Sequence, residues 1–255
     1  MKEYLENIGK KFFDAEYLKT SVKSVVIIFC DGEPMGSGVF INSNTILTAK
    51  HVVENYKIIT AIQELNEVSE DDILTIGNEY TVHTCNISEN SDLALLLTVE
   101  PYKNIVPRIN FNYPNVNDYC MTYSYQKFKN EDDILFRNFV GSNGKILELY
   151  PYSRDSKWIN YPSFCINTKF TPGMSGGPIF DIDGCLCGIV CTGSDGDDEN
   201  EYAVGSLLHP LLGIKLQLSD DRAFTLIEML KTRNLINTLN LDIGIELYNE
   251  YLKIK

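Results

Sequence analysis

The 255-residue sequence has no long hydrophobic run and few basic residues. No stretch has the length needed to span a bilayer, and the N-terminus, MKEYLENIGKKFFDAEYLKT, lacks the unbroken apolar core of a secretion signal. The chain carries 22 Lys and Arg residues against 35 Asp and Glu residues, a formal net charge of −13. Binding to nucleic acid or to an anionic membrane surface depends on Lys and Arg, so we expect neither partner.

A regular cysteine framework is also lacking. The seven cysteines are odd in number and irregularly spaced: Cys30, Cys85, Cys120, Cys165, Cys185, Cys187 and Cys191. Such a set fits free thiols in a reducing compartment better than disulfides, so we expect a cytoplasmic protein. The last three share parity along one predicted strand and would supply most of a zinc site. Because free Cys commonly acts as a small buried hydrophobe, we expect no metal and no cofactor.

From about Ser21 the sequence consists of short β-branched and aromatic runs separated by turn clusters. These runs are SVKSVVIIF, GVFI, TILT, YTVHTCNI, LALLLTV, YCMTYSY, GKILELY, SFCINTKF and CLCGIVC. Their regular spacing predicts an all-β protein built as antiparallel barrels or a sandwich. The Pro-containing stretch PYKNIVPRINFNYPNVND has few strand signals, so we interpret it as a linker between two β subdomains.

Helical periodicity is confined to the two ends of the chain. The segment KEYLENIGKKFFDAEYL has apolar residues at helical spacing, and AFTLIEMLKTRNLI has the same period after a plausible N-cap at Ser219. The last segment, LDIGIELYNEYLKIK, is a weaker helix prediction because Gly244 interrupts it. We expect these helices to pack on the β subdomains.

The Gly-rich stretch TPGMSGGP, residues 171–178, leaves the hydroxyl of Ser175 among glycines. The backbone N–H of Gly173 can approach a ligand as closely as that of Ser175, so the two amides could form an oxyanion pocket. The turn then predicts the position of a nucleophile. An ordinary hairpin loop is the alternative, because Gly permits positive φ in many turns.

A serine nucleophile needs a neighbouring base, and the base needs a group that orients it. Of three histidines, His51 follows TILTAK at the end of a strand and is the candidate base, whereas His83 lies inside a strand and His209 precedes a proline in an apolar segment. Asp92 stands where a polar loop becomes an apolar strand, and a histidine N–H would satisfy its carboxylate there. Capping of its own turn is the alternative role for Asp92.

Taken together, GSGVFINSNTILTAKHVV, SDLALL and PGMSGGPIF resemble the chymotrypsin-like (trypsin-like) serine peptidases, in particular the bacterial intracellular branch without disulfides. The resemblance covers about Ser21 to Gly205. It implies an all-β fold of two antiparallel six-stranded β-barrels with N- and C-terminal helices. The implied organisation is an N-terminal extension at 1–20, a first barrel at 21–104 with His51 and Asp92, a second barrel at 105–215 with Ser175, and a C-terminal helical segment at 216–255.

The resemblance also implies roles for the individual residues. Ser175 would attack the scissile carbonyl, His51 would carry the proton and Asp92 would orient His51, while the amides of Gly173 and Ser175 would bind the oxyanion. The substrate-binding positions that it implies are Lys169, Thr171, Cys191, Thr192 and Gly193. Lys169 would favour an acidic P1 side chain if it points inward. The acidic run at 195–201 would attract basic peptides instead if it lines the rim, and it could equally be a solvated hairpin tip.

One departure from the secreted members of the family bears on regulation. Their aspartate before the serine pairs with a new N-terminal amine, and here that position is Met174, which cannot form the pair. We therefore expect a serine endopeptidase that acts on polypeptides through an acyl-enzyme, regulated by something other than N-terminal processing. The flanking helices, a protein partner or substrate-driven ordering of residues 168–174 could supply the control, in a defence or stress system for instance. The alternative function is a catalytically silent peptide-binding module with the same fold.

Overall fold

A computed structural model describes residues 21–68, 73–129, 135–193, 202–219, 222–233 and 236–255. The helix predicted near the N-terminus lies in residues 1–20, outside the described residues. The acidic run at 195–201 lies outside them as well. The description below concerns the remaining chain, which contains both predicted β subdomains.

Six antiparallel strands form the first barrel. They are β1 (Val25–Cys30), β2 (Glu33–Asn42), β3 (Thr45–Thr48), β4 (Ile59–Val68), β5 (Ile73–Ile87) and β6 (Ala94–Thr98). The strands close in the order β1-β2-β3-β6-β5-β4. Their β-branched and aromatic side chains fill the interior, where the ring of Phe40 stacks on Tyr102 at 4.6 Å and meets the edge of Tyr80 at 4.8 Å.

The second barrel also closes through six antiparallel strands. These are β8 (Tyr119–Lys129), β9 (Leu135–Tyr150), β10 (Ser163–Ile166), β11 (Pro178–Phe180), β12 (Leu186–Gly193) and β13 (Ala203–Ser206). They pair in the order β11-β8-β9-β10-β13-β12, and β11 pairs with β12 to close the ring. Two short parallel strands, β7 (Ile109–Asn110) and β16 (Thr238–Leu239), extend the sheet beyond β12. The prediction of two six-stranded antiparallel barrels is confirmed.

The chain after the second barrel contains strands that periodicity did not predict. A 3-10 turn at His209–Gly213 leads into a hairpin of β14 (Lys215–Ser219) and β15 (Arg222–Thr225). Ser219 therefore ends a strand, and the prediction that it caps a helix is wrong. Helix α2 (Leu226–Arg233) begins instead after Thr225, whose hydroxyl accepts the N–H of Glu228 while the Glu228 carboxylate accepts the N–H of Thr225. This capping box satisfies two helix-end donors, which explains why the helix begins there.

Two further helices complete the described chain: α1 (Lys50–Val53), which follows β3, and α3 (Leu241–Ile254). Gly244 does not break α3, because its missing side chain serves packing: a Cβ at this position would lie 2.7 Å from the Cβ of Phe111. Because residue 244 is glycine, α3 approaches the linker between the barrels more closely than it could with any other residue at this position. In the described part of the chain, no helix is both long and apolar enough to cross a membrane.

The cysteines are free thiols, and all except Cys85 are buried. Cys187 and Cys191 belong to different apolar clusters because the register of β12 against β13 shifts between Val190 and Thr192. This β-bulge cancels the shared parity on which the zinc alternative depended. Among the described residues, no group of three His, Cys, Asp or Glu side chains could hold a metal ion.

His209 is buried in an aromatic environment, 1% exposed. Its ring meets the edges of Tyr113 at 5.6 Å and Tyr251 at 5.8 Å, and its buried Nε2 has no hydrogen-bond partner among the described residues. Burial lowers the pKa of His209 to about 3, because the imidazolium would lose its hydration without gaining a partner.

This burial predicts a pH dependence of stability. The unfolded chain binds a proton at His209 below about pH 6.5, whereas the folded chain stays neutral there until about pH 3. The free energy of unfolding should therefore fall as the pH drops below 6.5, and His209 should contribute about 1.4 kcal/mol per pH unit to that slope. The free energy of unfolding can be measured by urea unfolding at several pH values between about pH 7 and pH 4. It should depend less steeply on pH in His209→Leu than in the wild type. Equal slopes would show that His209 is protonated in the folded protein.

Candidate active site

A cleft of about 1090 Å³ is lined by residues of both barrels. The first barrel contributes His51 and Asp92, and the second contributes Ser175, Cys191 and Thr192. The three residues predicted to act together are thus brought into one cleft, although 41 residues separate His51 from Asp92 in the chain. The loop at 154–161, between β9 and β10, forms another wall of the cleft.

Asp92 holds His51 through two hydrogen bonds. Its Oδ2 lies 2.7 Å from Nδ1 of the ring, and its Oδ1 accepts the backbone N–H of His51 at 2.9 Å. The carboxylate side chain is 11% exposed, whereas the imidazole is 44% exposed and faces the cleft. Because His51 lies in α1, directly after β3, its backbone is fixed at a strand end. The two bonds fix both the position of the ring and the tautomer with the proton on Nδ1.

The electrostatics of His51 follow from this pairing. Burial alone would lower its pKa, but the hydrogen bond and the charge of Asp92, with a smaller contribution from Glu54, raise the pKa of His51 above its usual value of 6.5. The carboxylate therefore stabilises the imidazolium form of His51. Such a residue can accept a proton from a neighbouring hydroxyl and retain it during a reaction.

Ser175 lies in the turn between β10 and β11. The N–H of Met174 closes this turn on the carbonyl of Thr171 at 3.1 Å, with Gly173 at φ +92°, a conformation that favours glycine. The N–H of Gly176 donates to Val190 at 2.8 Å and so connects the turn to β12. Among the residues that the structure describes, the amides of Gly173 and Ser175 donate to no other protein group. Both amides are thus available to a ligand.

Sequence reasoning missed Ser37, which joins this turn to the first barrel. Its N–H donates to the carbonyl of Ser175 at 2.7 Å, and its hydroxyl donates to the carbonyl of Gly173 at 2.9 Å. The same hydroxyl accepts the N–H of Tyr125, on β8, at 2.9 Å. A Cβ at Gly36 would lie 2.6 Å from the Ser175 carbonyl, so the two chains approach closely. The triplet GSG at 36–38 was the available signal, since glycines inside a strand often mark such an approach.

The hydroxyl of Ser175 donates to the carbonyl of Cys191 at 3.1 Å. In the described part of the chain, Ser175 makes no hydrogen bond to His51. Cys191 is 2% exposed, and burial and the charge of Asp92 raise the pKa of its thiol well above the usual value. Cys191 thus contributes its backbone carbonyl to the site, and its thiol donates to the carbonyl of Ile189 at 3.5 Å.

The other predicted substrate-binding residues are not all in the cleft. Thr192 is exposed and lines it, whereas Lys169 is exposed and lies outside it. The hydroxyl of Thr171 is buried and has no hydrogen-bond partner in the described chain. Gly193 lies against the carbonyl of Phe170, since a Cβ at Gly193 would be 2.6 Å from that oxygen. A residue other than glycine at position 193 would therefore collide with the Phe170 carbonyl.

The wall at 154–161 was also missed. The carboxylate of Asp155 accepts the backbone N–H groups of Lys157, Trp158 and Ile159 at 2.9, 2.5 and 3.1 Å, which lowers the pKa of Asp155. Trp158 is 76% exposed at the cleft, with the Lys157 ammonium 4.8 Å from the centre of its ring. The segment RDSKWIN carries the signal of such a turn, because Asp commonly accepts amides of the residues that follow it.

Two β-barrels with this cleft between them form a chymotrypsin-like fold, and the resemblance noted in the sequence is confirmed. Residues 36–189, more than half of the chain, match the family described as the trypsin-like peptidase domain. The chain belongs to this family. In sequence, no curated protein matches it.

Solved structures agree with the fold at low sequence identity. The inactive form of a mutant of Rv3671c from M. tuberculosis superposes with a TM-score of 0.59 at 16% identity, over 86% of this chain and 93% of that one. Neuropsin, a serine protease expressed in the limbic system of mouse brain, gives a TM-score of 0.56 at 16% identity, over 74% of this chain and 90% of that one. At such identities the likeness concerns the fold alone.

The His51–Asp92 pair can be tested without a substrate. Replacing Asp92 by Asn removes the carboxylate charge and leaves only the smaller effect of Glu54 to oppose burial, the largest influence, so the pKa of His51 should fall below 6.5. We expect a decrease of about one to two pH units from the wild-type value. Titration of the His51 imidazole signals by NMR, in the wild type and in Asp92→Asn, measures this change. An unchanged His51 titration would contradict the pairing.

Proposed function

We propose that this protein is a serine endopeptidase in which Ser175, His51 and Asp92 act as the catalytic triad. The observation that carries the proposal is the pair of hydrogen bonds that the Asp92 carboxylate accepts from the ring and backbone N–H groups of His51, in the same cleft as Ser175. This geometry leaves Nε2 of His51 free to accept a proton on the side of the ring away from Asp92. A structural role alone would not require a half-exposed imidazole held over an open cleft.

In the proposed reaction, the hydroxyl of Ser175 attacks the carbonyl carbon of a peptide bond while Nε2 of His51 takes its proton. The resulting imidazolium is stabilised by Asp92 and donates the proton to the leaving amine, which gives an acyl-enzyme and a free amino terminus. Water then attacks the acyl group, with His51 again as the base. Hydrolysis releases the carboxylic acid and restores the serine.

The amides of Gly173 and Ser175, which donate to no other protein group within the described residues, are the proposed oxyanion donors. Each would stabilise the developing negative charge by about 3 kcal/mol, the magnitude observed when such a donor is removed. Their availability rests on the position of Gly173, which the Ser37 hydroxyl holds through its carbonyl. The turn is therefore arranged before the substrate binds.

Substrate binding must also reorient the serine. The Ser175 hydroxyl donates to Cys191 before the reaction, so it must rotate toward His51 when a peptide enters. The contact of Gly193 with Phe170 must widen in the same step if a large P1 side chain is to be accommodated. We infer that substrate, or a partner that favours the widened form, regulates the enzyme.

Met174 supports control by something other than N-terminal processing. It is 1% exposed in the apolar interior of the second barrel, and its sulfur accepts the N–H of Thr171 at 3.3 Å. Packing of an apolar side chain thus holds the turn where the secreted enzymes rely on an ion pair. No new amino terminus is needed for that contact. The free thiols further support a reducing, cytoplasmic compartment.

The proposal is tested by labelling with a fluorophosphonate probe, which reacts with activated serines whatever their substrate. The wild type should be labelled, and labelling should be lost in Ser175→Ala and in His51→Ala because the nucleophile or its base is missing. Ser156→Ala and His83→Ala are matched controls, since Ser156 lines the same cleft and His83 is exposed on β5. Both controls should label like the wild type.

Absence of labelling in the purified wild type and in a lysate of the source organism would overturn the proposal in favour of a peptide-binding module with a silent site. Labelling that appears only in the lysate would identify a partner-dependent enzyme. The orientation of Ser175 toward Cys191 is the observation that favours testing both conditions.

A further expected result concerns pH. Because His51 must be neutral to accept the serine proton, kcat/KM should rise with pH through an apparent pKa above 6.5, the direction in which Asp92 shifts it. A pH series with any cleaved peptide measures this pKa. Activity that falls as the pH rises from about 6 to 8 would be inconsistent with His51 as the base.

A further inference from the structure

The loop that carries Asp92 is held together by its own hydrogen bonds. We call Ser88–Leu93, between β5 and β6, the acid loop. The N–H of Ser88 donates to the carbonyl of Leu93 at 2.8 Å, and the Ser88 hydroxyl accepts from the Ser91 hydroxyl at 2.8 Å and from the N–H of Asn90 at 3.3 Å. These bonds close the loop on itself, but they do not fix its position relative to the rest of the molecule.

One hydrogen bond from the C-terminal helix supplies an external constraint. The hydroxyl of Tyr251, in α3, donates to the carbonyl of Asn90 at 2.6 Å across 161 residues of sequence. Asn90 stands two residues before Asp92. We propose that Tyr251 is a positioning residue of the active site: its hydrogen bond to the acid loop holds the Asp92 carboxylate in register with His51. This inference rests on the proposed function and assigns α3 a part in it.

Tyr251 is itself fixed by packing. It is 1% exposed and ranks among the largest fully buried side chains of the described protein. Its ring meets the edge of His209 at 5.8 Å, and that histidine packs in turn against Tyr113. The hydroxyl therefore has a defined position, and it is aimed at a loop of the first barrel from a helix that follows the second.

Other residues of α3 also pack closely against the protein. A Cβ at Gly213 would overlap the Tyr248 hydroxyl, and one at Gly244 would lie 2.7 Å from Phe111. By contrast, the ion pair of Glu89, in the acid loop, with Lys215 at 3.8 Å is exposed, and such pairs contribute little. Of the contacts with Tyr251 and Lys215, the buried Tyr251 hydrogen bond is the stronger restraint on the acid loop, and it acts in addition to the bonds of Asp92 to His51.

The consequence for catalysis follows from the chemistry of Asp92. Its two bonds to His51 require both carboxylate oxygens to be correctly placed, so a shift of the acid loop would weaken them together. Tyr251 does not line the cleft, and removal of its hydroxyl should leave substrate contacts intact. The effect should therefore appear in kcat and in the titration of His51 and leave KM unchanged.

The test compares Tyr251→Phe with Tyr80→Phe. Tyr80 is the matched control because it is also buried and its hydroxyl also makes one hydrogen bond, at 3.4 Å to Gln63 within the first barrel. We expect Tyr251→Phe to lower kcat about tenfold with KM within about twofold. We also expect it to move the His51 pKa, measured by NMR, toward lower pH. Tyr80→Phe should change neither quantity.

Gly244→Ala provides a second variant that leaves Tyr251 intact. Its added methyl group must push α3 away from Phe111, so the same decrease in kcat and the same shift of the His51 titration are expected. This variant keeps the inference testable if Tyr251→Phe fails to fold. The inference would be overturned if Tyr251→Phe or Gly244→Ala, whichever folds, had the same kcat and the same His51 titration as the control Tyr80→Phe.

Failure of the proposed serine peptidase reaction and failure of the proposed positioning role of Tyr251 can be told apart. The NMR titration of His51 requires no turnover, so it tests Tyr251 even if the wild type is not labelled by the fluorophosphonate probe. Absence of wild-type labelling, both purified and in the lysate, together with the expected effect of Tyr251→Phe on the His51 titration, would reject the proposed reaction alone. A labelled, active wild type with no Tyr251 effect would reject the positioning role alone.

Discussion

Ser37 makes the contact on which the arrangement of the cleft depends. Three of its hydrogen bonds cross from the first barrel to the second, to the backbones of Gly173, Ser175 and Tyr125. Buried backbone groups are costly to leave unpaired, so the two barrels cannot separate there without losing all three bonds. Ser175 is thus held against the barrel that carries His51 and Asp92.

A second constraint acts on the carboxylate. Asp92 as a whole residue is 9% exposed, and a carboxylate charge buried to this degree needs hydrogen-bond donors. The ring and backbone N–H of His51 supply them, and the Tyr251 hydroxyl restrains the loop from outside. The C-terminal helix therefore contacts the loop that carries Asp92, the residue whose carboxylate raises the pKa of His51.

Much of the architecture could be predicted from the sequence, because strands that alternate with turn clusters have a local signature. The runs around Val25, Ile46 and Leu95 became strands of the first barrel, and the linker at 101–118 contains only the short strand β7. The hairpin at 215–225 was missed because its second strand, RAFT, belongs to a segment with helical periodicity, and pairing with β14 prevailed over it. Gly244 weakened the prediction of α3, whereas packing against Phe111 requires it.

The sequence by itself determined the candidates His51, Asp92 and Ser175, because a histidine after a strand, an aspartate before an apolar strand and a serine among glycines are local patterns. Only the tertiary structure decided that the serine hydroxyl donates to Cys191, that Lys169 lies outside the cleft, that Ser37 bonds to the turn of Ser175, and that Tyr251 bonds to the loop of Asp92. These contacts join residues far apart in the chain, up to 161 positions for Tyr251 and Asn90. Contacts between residues so far apart in the chain leave no local pattern in the sequence, because the packing of two barrels and a helix determines which groups meet.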